Sequence, residues 1–314
     1  MEIISSKTEL TEEQYKYRVE LLEKRFADDS GEDPHEHPGR KNPLGFVQWF
    51  ITRAAENSWA KRTYWLYRSA LLWFFSTNGI PEAITALKRT SSAQLNCRGT
   101  RTSSNKLKKL PDSVFTTLID TLGNGKGHLD KLIAQWLKAG LVTGLRPVEW
   151  EHAVWMPEKH ALEVLNAKRD VYRGNGERRI IIYDPALHQD EISNITTFLY
   201  ALHEKIKDKQ YNDIYQACRK RLLVVSKKLW PKSKILPSLY STRHQFAANM
   251  KASGLTAKQV AALMGHSSEE TAQCHYARKR SGNAINPPSS PASDIGNVRQ
   301  THREHPHQAN LFQS

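Results

Sequence analysis

The chain has 314 residues, 39% of them hydrophobic, and a formal charge of +14; that is enough apolar material for two folded domains and too much for a disordered basic tail. The longest apolar run, around Leu71 to Phe75, is far short of the roughly 20 residues a membrane span needs, and the first residues show no signal-peptide pattern. Cys97, Cys218 and Cys274 are an odd, scattered set without metal-ligand spacing, which argues against a disulfide framework and fits a reducing, cytoplasmic compartment.

The charge is unevenly placed. Residues 1–36 are net −6 and residues 37–314 net +20, so the body of the chain is expected to meet a polyanion, the alternative being a merely well-solvated surface. Residues 1–43 read as a peripheral arm: a helix to about residue 26, then a loop across DDSGEDPHEHPGRKNP. From Leu44 to Ser58 and from Ala60 to Thr77, apolar and aromatic residues recur at helical spacing, and Pro81 opens a third helix after Asn78-Gly79. This predicts a small helical domain over 44–91. Lys61, Arg62 and Arg68 interleave with Tyr64 and Tyr67, which suits either a helix laid along a phosphate backbone or tyrosines in a core beneath solvated charges.

Residues 92–110 lack apolar periodicity and include Arg98, Arg101, Lys106, Lys108 and Lys109 without one acidic side chain. They are expected to be a flexible linker that follows the backbone of a duplex. A second domain is predicted over 111–282. Two helices with Val114, Leu118 and Leu122, then Leu132, Ile133, Trp136, Leu137 and Leu141, end in the turn LVTGLRPVEW. Arg146 sits in that turn before Pro147, with Glu149 three residues on and close enough to orient its guanidinium. Two strands, ALEVLNAK and RRIIIY, are joined through Gly174-Asn175-Gly176, and Lys168 lies where the first of them ends. Helices over 190–209 and 213–228 follow. Residues 283–314, rich in Pro, Ser, Asn, Gln and His, read as a disordered tail.

The stretch Pro237 to Gly282 is the most informative. Leu239, Phe246, Ala247 and Met250 share a helix face with Arg243, so a guanidinium is expected on a buried surface, where it needs a carboxylate or a bound anion. Gly254 ends this helix. Thr256 and Gln259 form a capping box for the next, Gly265 stops it, His266 follows at once, and Ser267 with Glu270 opens a third helix that runs to Tyr276. His244, Cys274 and His275 beside His266 match no zinc pattern, so no metal is expected.

Paired guanidiniums can hold the non-bridging oxygens of one phosphate and stabilise a pentacoordinate transition state; a tyrosine can attack that phosphorus, and a lysine or histidine can protonate the leaving oxygen. In order and spacing over roughly residues 44 to 280, the stretches TGLRPVE, NAKRDVYRGNGERRIII, STRHQFAANM, LMGH and the following tyrosine resemble the phage-integrase family of tyrosine recombinases. The resemblance implies a mainly α fold with a small antiparallel β-sheet, in which a helical core-binding domain and a catalytic domain form a C-shaped clamp on duplex DNA. It further implies that Arg146 and Arg243 clamp the phosphate, Lys168 is the general acid, His266 a phosphate ligand and proton-transfer aid, and Tyr276 the nucleophile. Tyr240 stands where the family usually has histidine or lysine, and His266 to Tyr276 is one residue longer than is common. The implied function is site-specific recombination for a mobile element through a 3′-phosphotyrosine, with no metal, nucleotide or other cofactor. Its partners would be duplex DNA and copies of itself, a homotetramer on synapsed sites and a monomer or dimer when free, with accessory DNA-bending proteins and no membrane, in the cytoplasm at a prokaryotic nucleoid. The alternatives are a type IB topoisomerase-like nicking and closing enzyme, or an inactive DNA-binding protein of the same fold.

Overall fold

In a computed structural model, the described residues are 9–56, 59–90, 107–167, 175–274 and 279–301. They are mainly helical with one small antiparallel sheet, and they fall into two compact units, Met1–Ser104 and Asn105–Ser314.

The first unit holds α1 (Glu9–Ser30), α2 (Pro38–Lys41), α3 (Pro43–Glu56), α4 (Lys61–Thr77) and α5 (Pro81–Arg89). Apolar residues at helical spacing put Phe46, Val47 and Phe50 of α3 and Tyr64, Leu71, Phe74 and Phe75 of α4 inside one core. The N-terminal segment is not the peripheral arm that its charges suggest. Val19, Leu22 and Phe26 of α1 are buried in that same core, and Phe26 meets Phe46 with ring centroids 5.1 Å apart. Each such side chain contributes roughly 1.5–3 kcal/mol on burial, which outweighs the low apolar content of the rest of the helix. Nor is 28–43 all loop: a 3-10 turn at Pro34–Glu36 and α2 occupy part of it, each begun by a proline whose fixed φ suits a first helical position.

The second unit begins before residue 111. Leu110 is buried and its N–H donates to Gln245 Oε1 at 2.9 Å, while Leu107 N–H donates to Leu236 O, so the end of the expected linker is built into this unit. Next come α6 (Asp112–Gly123), α7 (Asp130–Thr143), a 3-10 turn (Pro147–His152), β1 (Val154–Met156), β2 (Ala161–Leu165) and β3 (Arg178–Ile182). The strands pair antiparallel in the order β1-β2-β3, with Leu162 opposite Ile181 in the core. The sequence signals indicate only the last two; β1 is three residues long and too short to show an alternation. After them come α8 (Gln189–Ile206), α9 (Tyr211–Leu229), α10 (Ser241–Ala252), α11 (Ala257–Leu263), α12 (Glu269–Cys274) and α13 (Ala292–Gly296). Trp136 of α7 and Trp150 meet at Phe198 of α8, 5.2 and 4.8 Å away.

Helix α10 is buried from Ser241 to Met250 although more than half of its residues are polar. Every polar group there needs a partner. Besides taking Leu110, Gln245 donates through Nε2 to Asn249 Oδ1 and Ser281 O, and Asn249 Oδ1 accepts from Asn283 N–H. The chain after the helix is thereby fastened to it.

Residues 283–301 are accordingly not the disordered tail that their composition suggests. Ser289 exchanges two backbone hydrogen bonds with Ile182, Ile180 N–H donates to Asp294 Oδ2, and Ser290 Oγ donates to Ile180 O. Val298 is buried, and Arg299 pairs through its backbone with Ser267 and Glu269. Residues 302–314 of the expected tail lie outside the described residues.

Candidate active site

The site is built from four short segments. At the end of α7, Gly144 adopts a left-handed φ of 65° and turns the chain into Leu145-Arg146-Pro147. Pro147 starts the 3-10 turn, and Tyr211 Oη donates to its carbonyl, so α9 pins the turn from behind. Glu149 then folds back: Arg146 N–H donates to its Oε2 at 2.8 Å and Arg146 Nη1 to its Oε1 at 2.5 Å.

Arg243 arrives from α10 and is fully buried. Its Nη1 donates to Gly144 O, its Nη2 donates to Met264 O, both at 2.6 Å, and Glu149 Oε2 lies 3.8 Å from Nη1. The Thr256 and Gln259 side chains close the expected capping box at the start of α11, and Gly265, with φ of 62°, reverses the chain after it. That reversal brings buried His266 to Arg243, with Nη2 to Nε2 at 2.9 Å. Arg146, Glu149, Arg243 and His266, dispersed in sequence, are thus gathered at one place.

A fifth residue joins them that the sequence motifs do not single out. Arg179 of β3 is 1% exposed and spends three donors on three segments. Nη2 reaches Glu149 Oε2 at 2.8 Å, Nε reaches Leu263 O at 2.9 Å, and Nη1 bonds Asn166 Oδ1. Asn166 in turn donates through Nδ2 to Asn175 O and Gly176 O, both at 3.0 Å, and closes the base of the β2–β3 hairpin. The strand's own period carries the signal for this residue. Arg178 and Arg179 face opposite ways, Arg178 outward to Glu163 and Arg179 to the same buried side as Ile181.

Electrostatically the site is one carboxylate among three guanidiniums. Burial pushes the Glu149 pKa up, but Arg179, Arg146 and Arg243 together hold it well below the usual carboxylate range. Burial lowers the Arg179 pKa, partly opposed by Glu149. One negative charge against three positive ones leaves a surplus of two in a desolvated place, which an anionic ligand would neutralise.

Tyr240 lies just before α10, half-buried, with its ring against His244 at 5.4 Å between centroids. Lys168 and Tyr276 lie outside the described residues, as do Arg98, Arg101 and Lys106. Ala167, next to Lys168, donates its N–H to Glu149 Oε1 at 3.3 Å, and α12 runs toward Tyr276 as far as Cys274. Lys108 and Lys109 are exposed in the second unit; in the first, Arg62 is exposed and Lys61 half-buried. Arg68 has a different occupation. It donates from Nε and Nη2 to Leu87 O at 3.3 and 3.1 Å and lies 5.1 Å over the Trp65 ring, so it ties α4 to α5. Tyr64 is core.

Among the described residues, no group of three His, Cys, Asp or Glu is placed to hold a metal ion, and no helix is long and apolar enough to cross a membrane. No family model and no curated protein matches the chain in sequence. Solved structures do match. A variant of the Tn1549 transposon integrase in complex with a circular intermediate DNA covers 83% of this chain and 95% of its own, at 14% identity and a TM-score of 0.52. The XerA recombinase covers 88% and 90%, at 16% identity and a TM-score of 0.40. A lambda integrase tetramer bound to a Holliday junction covers 69% and 64%, at 14% identity and 0.37. The chain has the fold of the Tn1549 transposon integrase.

Proposed function

We propose that the chain is a site-specific DNA recombinase of the tyrosine class, an integrase serving a mobile element. One observation carries the reading: Arg146 and Arg243 converge on a single buried carboxylate with His266 beside them, in a fold shared with an integrase that was solved on DNA. Their uncompensated charge suits a phosphodiester, whose non-bridging oxygens two guanidiniums can share.

In the proposed reaction Tyr276 Oη loses its proton to water, attacks the scissile phosphorus and forms an O–P bond as the bond to the 5′ oxygen breaks. Lys168 gives that oxygen its proton, and Arg146, Arg243 and His266 hold the charge on the pentacoordinate phosphorus. The reverse step with a 5′ hydroxyl from a second duplex completes strand transfer. Tyr240 would contribute a neutral hydrogen bond, since a phenol stays protonated at neutral pH. Lys61, Arg62, Lys108, Lys109 and the linker cations would touch the duplex backbone, and exchange of strands between two duplexes calls for several copies of the chain, a homotetramer on synapsed sites.

A nicked suicide duplex carrying the DNA that flanks the gene tests this. A covalent protein–DNA adduct is expected, followed by exchange of label between two duplexes. No adduct would leave a DNA-binding protein of this fold, and relaxation of supercoils without exchange would make it a nicking and closing enzyme.

A further inference from the structure

Arg179 touches three of the segments from which the site is assembled. Its three bonded donors point to the Glu149 carboxylate, to Asn166 at the base of the hairpin, and to Leu263 O, three residues before His266. Gly265 packs against the same point: a Cβ there would come within 2.8 Å of Arg179 Nη1, so the turn that presents His266 is seated on the guanidinium. We propose that Arg179 is a positioning residue that couples the Arg146–Glu149 turn, the hairpin bearing Lys168 and the turn bearing His266, and so sets the geometry of phosphate cleavage without touching the phosphate. This rests on the recombinase reading above.

The choice of arginine follows from the geometry. A planar guanidinium offers donors in fixed directions and can satisfy three acceptors from three chain segments at once, whereas a lysine ammonium is a point charge on a flexible stem. Loss of the side chain would leave Glu149 Oε2 to Arg146 N–H and the distant Arg243 alone, and would free Asn166 Oδ1 and Leu263 O in a buried place. The carboxylate that orients Arg146 would then lose its partner on the strand and keep Arg146, the Ala167 N–H and Arg243 at 3.8 Å. Arg179 is also the largest of the charges that lower the Glu149 pKa; Arg146 and Arg243 are the other ionised groups facing it, and Ala167 N–H is a neutral donor.

The test compares wild type, Arg179→Lys and Arg179→Gln in single-turnover cleavage of the suicide duplex, in duplex affinity, and in cleavage across the acid range. Both variants are expected to bind DNA as wild type does and to cleave on the order of 10²-fold more slowly, the loss that a displacement of about 1 Å produces. The acid limb of the cleavage profile should move to higher pH in Arg179→Gln, because Glu149 then protonates more readily. If Arg179→Gln does not fold, Arg179→Lys retains the charge, and slow cleavage by its folded fraction supports the proposal. A folded variant that cleaves at the wild-type rate with an unmoved acid limb overturns it. If wild type forms no adduct, the recombinase reading fails first. The coupling is then read from the carboxyl carbon of Glu149 by NMR, and an identical titration in wild type and the folded variant overturns it independently.

Discussion

Arg243 Nη2 and His266 Nε2 are 2.9 Å apart and both groups are buried. A guanidinium has no lone pair to offer, so the imidazole nitrogen must be the acceptor. Accepting at Nε2 requires the tautomer with its proton on Nδ1, in which the two residues do not compete as cations. A side chain at 266 that can accept from Arg243 should preserve the clamp: His266→Gln is expected to keep more single-turnover cleavage than His266→Ala. His266→Lys should be the worst of the three, because it sets a second cation against Arg243. Equal rates for all three would mean that this hydrogen bond has no part in cleavage.

Glu149 makes the fold itself acid-sensitive. Its folded-state pKa lies below the ordinary value of 4.5, so the stabilisation it brings is complete above that value and is lost as the pH falls below it. Glu149→Gln leaves the buried guanidiniums of Arg179 and Arg243 and the half-buried one of Arg146 without an anion, and should cost about 3–5 kcal/mol, as for one partner taken from a buried pair. Urea unfolding at a series of acidic pH values checks both points. The variant should be weaker at neutral pH and should show a flatter decline than wild type on acidification.

The nucleophile and the acid should separate experimentally. Tyr276→Phe removes one oxygen and leaves the phosphate clamp intact, and is expected to bind the duplex normally and give no covalent adduct on a denaturing gel. Lys168→Ala should fail on an ordinary duplex but be rescued by a 5′-bridging sulfur, since a thiolate leaves without a proton. Failure of the sulfur substrate to restore cleavage would remove the lysine from its role as acid.

Cations that resemble one another in sequence should behave differently on DNA. Arg68 is committed to Leu87 O, so Arg68→Ala should lower stability by about 1 kcal/mol and leave the salt dependence of binding unchanged. Neutralising Arg98, Arg101, Lys106, Lys108 and Lys109 together should flatten the log–log salt slope by up to about 0.9 for each phosphate that is no longer neutralised. An unchanged slope would take the linker off the duplex.

What is legible in the sequence is local. Pro147 with Glu149 two residues later, the Thr256 and Gln259 box, Gly265 before His266 and the apolar face around Arg243 are each signalled within one or two helical turns, and each has its expected geometry. Arg179 is hidden because adjacent arginines in RRIIIY look like a solvated strand end; only the alternation shared with Ile181 shows that one of them points inward. Helix α1 misleads because Val19, Leu22 and Phe26 are diluted among charges, and its place depends on a core supplied mostly by α3 and α4. The segment after Gly282 misleads for a related reason. Its order comes from partners more than a hundred residues earlier, such as the Ile180 backbone, and composition carries no trace of those.

The docking of that segment bears on how the protein behaves in concentrated solution. β3 ends the sheet, and the N–H and C=O of Ile180 and Ile182 would otherwise present a bare strand edge, the template on which a foreign strand adds. Ser289, Ser290 and Asp294 occupy those four groups. A chain cut after Gly282 would keep every residue of the proposed chemistry and lose this cover, so the C-terminal segment acts as a built-in guard against edge-to-edge aggregation.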